Sequence, residues 1–185
     1  MNQLLILLII IYTTIVVSLV WARFNFFRIQ SVKSHVSSVI YDPAVAIQIV
    51  MTYYFLFTND LGEIVPVYFG IILYLTGIAF FWWAIVTAKK LDFAFSGKVG
   101  EIVTTGPFRL VRHPFYVSYI LIWLSSSLLF NSIYLWTTLG YLVAFYLTSA
   151  KSEEKVILSS EYSREYQEYS QQVGMFLPRI IQWKR

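Results

Sequence analysis

Between Thr105 and Tyr116 the chain reads Thr-Gly-Pro-Phe-Arg-Leu-Val-Arg-His-Pro-Phe-Tyr, which sets Arg109, Arg112, His113 and Tyr116 at the mouth of an apolar run. Further on, Glu153 and Glu154 stand side by side just after another apolar run ends, and Tyr162, Tyr166 and Tyr169 follow at helical spacing. Cations, an imidazole, carboxylates and phenols in one grouping suit the binding of a charged small molecule and the movement of a proton or group on it. The same residue types also serve as anchors, because Arg and aromatic side chains settle among lipid headgroups. The plain reading of the two glutamates is a solvated helix segment. The His113-Pro114 step sharpens the local picture. Proline disfavours helix in the residue before it and suits the first turn of a helix after it. Arg112 and His113 are therefore expected in extended backbone, with a helix starting near Pro114. Polar groups fixed at the lip of a membrane helix favour a site over a plain loop. Other chemistries find no residues: there is no Gly-rich phosphate loop, no serine nucleophile elbow and no carboxylate pair spaced for glycoside cleavage.

The elements that must position these groups are membrane helices. The chain has 185 residues, of which 58% are hydrophobic and 13% charged, against about 25% charged in an ordinary soluble domain. There is no cysteine and there are only two histidines, so disulfides, thiolate chemistry and a metal centre are not expected. Apolar runs predict spans over Leu4–Val20, Ala44–Phe57 (starting after Asp42-Pro43, and short enough to borrow Val39 to Tyr41 or to sit tilted and partly shielded), Ile64–Ala88, Tyr116–Phe130 and Ile133–Thr148. The last two read as a tight hairpin extended by polar helix, and Lys151–Tyr169 is helix-compatible. The first run reads as a retained span rather than a signal peptide. Trp21, Phe24, Phe26 and Phe27, with Arg23, Arg28, Lys33 and His35, suggest an interfacial segment after it. Every Lys and Arg follows the first, third or fifth run, while the two opposite turns hold Asp60, Glu63 and Asn131. The positive-inside rule then puts the N-terminus outside and the C-terminus in the cytosol. The net charge of +4 is explained by this topology, so no nucleic-acid partner is expected. The Arg-His-Pro motif and the Glu/Tyr segment fall on the same cytosolic side and can share one site. The expected fold is thus all-α and integral to the membrane. It has about five spans, with a three-span region over 1–88 and a catalytic region over 89–185 that ends in the hairpin and a cytosolic pocket.

Ile102-Val-Thr-Thr-Gly-Pro-Phe-Arg-Leu-Val-Arg-His-Pro-Phe-Tyr116, an apolar hairpin, then Glu153-Glu154, Tyr166, Tyr169 and Pro178 together resemble the isoprenylcysteine carboxyl methyltransferase family and its phospholipid methyltransferase relatives. The resemblance lies in the C-terminal half; the upstream spans match in character only. It implies a membrane enzyme that uses S-adenosylmethionine in a cytosolic pocket and takes a lipid-tailed substrate from the bilayer. The carried-over cofactor contacts are Gly100, Glu101, Ile102 and Val103, then Phe108, then His113, Pro114, Phe115 and Tyr116, and finally Glu153, Glu154 and Tyr166. Arg112, His113 and Glu154 are the implied catalytic residues. Glu154 would meet the cationic cofactor, His113 and the backbone at Pro114 its carboxylate or adenosine part, and Arg112 would orient the motif or an anionic substrate. Phe108, Tyr116 and Tyr166 would line the pocket. Two registers are open at the glutamates. The tyrosines and Pro178 select Glu154 and place Lys155 where the family has a second Glu; sliding by one residue restores the pair.

Departures from the pattern bear on the substrate. Ser118 replaces a usual glycine, and Tyr162-Ser163 replaces a usual Phe-Gly. Ala150 stands where prenylcysteine enzymes hold an arginine for the substrate carboxylate, with Lys151 turned about 100° round the helix. Methyl acceptors on carboxylate, amine or hydroxyl lipids all stay open. For an amine, His113 or a glutamate would take the proton. Two alternatives are an NADPH-dependent sterol-type reductase, whose usual cysteine is missing here, and a non-catalytic membrane subunit. The expected location is a cytoplasmic membrane in a prokaryote or the endoplasmic reticulum in a eukaryote.

Overall fold

The computed structural model describes residues 3–26, 32–58, 66–88 and 102–179, with 32–40 as backbone alone. Six helices follow in order: α1 Gln3–Asn25, α2 Val32–Thr58, α3 Val67–Ala88, α4 Pro114–Phe130, α5 Ile133–Leu158 and α6 Ser163–Gln172, with a 3-10 turn over Gly106–Arg109 between α3 and α4. The described residues contain no strand, only an isolated parallel bridge between Val111 and Gly174. Helix is what apolar runs of this length must form in lipid, where backbone groups have no water to pair with. α1, α3 and α5 are long and apolar enough to cross a membrane, and α4 is a shorter apolar helix. Ile10, Val17, Val50, Phe69 and Val86 point outward from the bundle. Such an outer surface suits lipid rather than water, and the chain is a membrane protein.

The inside is held by aromatic rings and by hydroxyls on backbone. α3 and α4 make the broadest contact among the described helices. The Ser125 hydroxyl donates to the Gly70 carbonyl at 2.7 Å, and the Tyr74 and Ser126 hydroxyls share a 2.8 Å bond. α2 lies along α5, where the Tyr41 ring stacks on Phe145 at 5.1 Å. Tyr12, Tyr74, Trp123 and Tyr146 are fully buried at the centre.

Three elements differ from the sequence expectation. The second helix does not begin after Asp42-Pro43; α2 starts at Val32 and carries Pro43 inside it. The missing N–H of Pro43 breaks one helical bond, but the flanks are tied elsewhere: Asp42 pairs with Arg23 of α1 at 2.9 Å, and Tyr41 packs on α5. α1 runs on through Trp21 and Phe24 to Asn25, so these residues belong to the first helix and not to a separate interfacial piece. The Lys151–Tyr169 stretch is not one helix. α5 ends at Leu158, and Ser159–Tyr162 form a turn before α6. The fifth span behaves as expected beyond its apolar part. At 26 residues, α5 is about 39 Å long, more than a hydrocarbon core of about 30 Å. A helix of that length leaves room for its polar end after Ala150 outside such a core. Arg28, Asp60, Glu63, Lys89 and Lys90, and the side chains of Lys33 and His35, lie outside the described residues.

Candidate functional site

The site grows from a short, stiff piece of backbone. Gly106 takes a left-handed φ of +59°, and a Cβ there would meet the Thr87 hydroxyl at 2.5 Å. Pro107 then opens the 3-10 turn. After it Val111 makes an isolated bridge, and Arg112 lies in a bend rather than in the extended backbone expected of it. His113, at φ −121° and ψ 67°, is neither helical nor extended, and α4 begins at Pro114 as the proline predicts. A segment from the far end of the chain pairs with this stretch. Arg112 N–H donates to the Gly174 carbonyl at 2.8 Å, and His113 N–H to Met175 at 3.2 Å. Gly174 is required there, because a Cβ would drive into the Leu177 carbonyl. Residues 173–177 thus form a strap along the motif.

The motif side chains meet the end of α5. Arg112 Nε donates to Glu154 Oε1 at 2.9 Å, and its Nη2 reaches the same oxygen at 2.9 Å. His113 Nε2 is 3.0 Å from that oxygen as well. Arg112 Nη1 turns the other way, to the carbonyls of Ser170 and Val173 at the C-terminal end of α6, where a cation is favoured by the helix dipole. His113 Nδ1 faces Glu153 Oε2 at 3.5 Å, and the Tyr116 hydroxyl donates to Glu153 Oε1. The His113 ring stacks on Tyr116 at 5.7 Å, and Phe176 from the strap sets its edge against both. Tyr116 in turn stacks on Tyr146, whose hydroxyl meets Tyr41 of α2 at 3.3 Å.

Charge follows geometry. Burial by itself raises the Glu154 pKa, but the hydrogen bonds from His113 and Arg112 outweigh it and bring it down to about 2. Burial lowers the His113 pKa, yet the flanking Glu153 and Glu154 more than reverse this and raise it above the ordinary histidine value. Each ring nitrogen faces a carboxylate, so the imidazolium is the favoured form. Burial and then the neighbouring Glu154 push the Tyr166 phenol up. Two cations and two carboxylates leave the cluster neutral. The glutamates are not equivalent: the Glu154 side chain is 14% exposed and that of Glu153 50%.

The structure brings together Arg112, His113, Tyr116, Glu153, Glu154 and Tyr166, the last buried beside Glu154. Ile102 packs on the cluster of Ile157, Tyr166 and Tyr169, and Val103 is half-buried next to it. Phe108 is buried and receives the Tyr169 hydroxyl on its carbonyl at 2.6 Å. Pro114 is buried at the start of α4. Phe115 points away from the charged cluster, onto Phe81 of α3, and Arg109 is exposed. Tyr162 is the residue before α6 rather than part of its tyrosine face. Gly100 and Glu101 lie outside the described residues. Sequence reasoning missed Phe176 and the strap. Their signal was slight: an apolar Met175-Phe176-Leu177 trio held between Gly174 and Pro178.

A phospholipid methyltransferase family model matches residues 65–165. No curated protein matches the chain. The matched stretch takes in α3, the motif, the α4–α5 hairpin and the start of α6, more than half of the chain, and on that ground the protein belongs to the phospholipid methyltransferase family, which includes the isoprenylcysteine carboxyl methyltransferases.

Proposed function

We propose that this chain transfers a methyl group from S-adenosylmethionine to the polar head of a membrane lipid, at the cytosolic face. The observation that carries the reading is the convergence of Arg112 and His113 on Glu154 inside the matched region. The residues fit the cofactor in kind. Glu153 and Glu154 offer carboxylates to a sulfonium and an amino group, and Tyr116, Tyr166 and Phe176 offer rings to cation and adenine. Glu154, His113, the backbone at Pro114 and the 100–103 stretch would hold it. When bound, S-adenosylmethionine supplies an electrophilic methyl carbon for in-line displacement.

The chain's own groups then position and exclude water. Arg112 and His113 keep Glu154 ionised. His113, with a carboxylate at each ring nitrogen, stays an imidazolium and is no base. Glu153, the more exposed carboxylate, takes the proton of an amine or hydroxyl acceptor at Oε2. Phe176 closes the stack of Tyr116 and His113 from the strap side. Ala150 is fully buried and Arg112 is committed to Glu154 and two carbonyls. Neither offers a cation to a substrate carboxylate, which favours a lipid amine or hydroxyl over a prenylcysteine. The family match gives no support to the reductase alternative.

In this reading α1 to α5 all cross the bilayer, with the N-terminus outside and the C-terminus in the cytosol. The cysteine-free chain allows a direct check: single cysteines introduced at Gln3 and Arg179 should label from opposite sides of a sealed vesicle. For activity, purified protein incubated with membrane lipid extract and methyl-labelled S-adenosylmethionine should yield a labelled lipid by mass spectrometry. Labelled lipid absent, together with no thermal stabilisation by S-adenosylmethionine, would overturn the reading.

A further inference from the structure

The strap that closes over the motif turns two neighbouring apolar residues in opposite directions. Gly174 and Met175 receive the Arg112 and His113 amides at 2.8 and 3.2 Å. Phe176 sets its edge against the rings of His113 at 6.0 Å and Tyr116 at 6.2 Å. Leu177, one residue on, is 79% exposed, the most open large apolar side chain among the described residues. The helix that leads into the strap is different. The exposed residues of α6 are Arg164, Glu165, Gln167, Glu168, Gln171 and Gln172, all polar, as on a helix face turned to water. From Leu177 the sequence changes character. It reads Leu-Pro-Arg-Ile-Ile-Gln-Trp-Lys-Arg, with no Asp or Glu after Glu168. Leucine, isoleucine and tryptophan set among Lys and Arg, without acids, make up segments that lie in the interface of an anionic bilayer.

Depth along the bundle agrees. α3 is long and apolar enough to cross a membrane. Its Phe81 ring meets Phe115 of α4 at 6.0 Å, and α3 then continues to Ala88, a further rise of about 10 Å. The start of α4, and the strap bonded to the backbone just before it, therefore stand beside the last turns of α3 and not beyond them. That is the level of headgroups rather than of bulk water. We propose that Leu177 and the basic, apolar stretch after it dock into the interface of an anionic bilayer, and that this contact holds Phe176 on the His113–Tyr116 pair. Burying a leucine is favourable only where lipid is there to receive it, and Pro178 limits the backbone freedom between Leu177 and Arg179. Lipid that binds only the docked strap shifts the chain toward the docked form, so the latch is closed by the membrane surface.

The chain contains no cysteine, so single spin labels report one position each in the full chain. Leu177→Cys and Glu165→Cys, labelled and placed in nanodiscs containing phosphatidylglycerol, are compared for collision with oxygen, which concentrates in lipid, and with a water-soluble nickel chelate. The label at 177 should favour oxygen several-fold over the label at 165. A label at 177 reached mainly by nickel overturns the proposal, as does one reached by neither reagent because protein covers it. The latch is read by hydrogen exchange at the Arg112 and His113 amides, which the strap carbonyls cover. Leu177→Asp should speed that exchange several-fold while Leu177→Ile leaves it as in the wild type. Replacing phosphatidylglycerol by phosphatidylcholine should speed it in the wild type, where no substitution disturbs folding. Exchange that responds neither to Leu177→Asp nor to the change of lipid overturns the latch.

Discussion

Two polar clusters sit at opposite ends of one bundle and are built on opposite rules. The cluster of Arg112, His113, Glu153 and Glu154 is charged, paired and partly open. The Gln48–Thr52 pair of α2 is neutral and closed: both side chains are fully buried, and the Gln48 amide donates to the Leu135 carbonyl at 2.9 Å. Charges need mutual pairing before they tolerate leaving water, and once paired they depend on one another. Neutral amides and hydroxyls lose less on leaving water than charges do, so each can be removed at smaller expense. The molecule therefore keeps its fragile electrostatics where a ligand can reach and its robust polarity where only packing matters.

The sharpest way to break that contrast is Glu154→Ala. It strands Arg112 and His113 together, and a loss of about 3–5 kcal/mol in unfolding free energy is expected, along with loss of S-adenosylmethionine binding by calorimetry. A small stability change with unaltered affinity would show that the cluster is not interdependent. Next comes Gly174→Ala, where the strap must shift off the Leu177 carbonyl. About 1–3 kcal/mol is expected from overpacking, read by denaturant unfolding, with weaker cofactor binding. Phe176→Ala should cost about 1 kcal/mol from lost ring contacts and raise KM for the cofactor more than it lowers kcat. Thr52→Val, at the other pole, should fall below all three in size.

The contrast also predicts a one-sided pH response. The His113 pKa is raised in the folded state, so its stabilisation is complete below the ordinary value near 6.5 and is lost as pH climbs through the raised value. Glu154 is depressed to about 2, so its contribution holds above the ordinary carboxylate range and fades only in strong acid. Tm should therefore decline as pH climbs above the ordinary histidine value, near 6.5, in the wild type and decline less in His113→Gln. The Gln48–Thr52 cluster has no titrating member in this range, so Thr52→Val should leave that slope as it is.

Much of this was legible in the residues, for identifiable reasons. The helices follow from apolar runs that lipid forces into one conformation. The non-helical backbone at His113 and the start of α4 follow from a proline, which constrains its neighbours locally; the bend at Arg112 does not. The pairing of the motif with the end of α5 rested on charge topology and on the resemblance, and the side chains do meet. Pro43 misled because a local rule was set against packing and an Asp42–Arg23 pair from another helix. The strap was invisible because its bonds are backbone to backbone across a long sequence separation, and backbone pairing leaves little mark on side-chain choice. Nothing in the sequence marks Gln48 and Thr52 as buried, since their burial depends on which way α2 is turned.

The bridge between Val111 and Gly174 has a consequence for biogenesis. The motif loop and both helices of the hairpin are translated before Gly174 exists. The Gly174 and Met175 carbonyls that receive the Arg112 and His113 amides are made only after all of these, so a chain stopped before Gly174 leaves the motif without its strap.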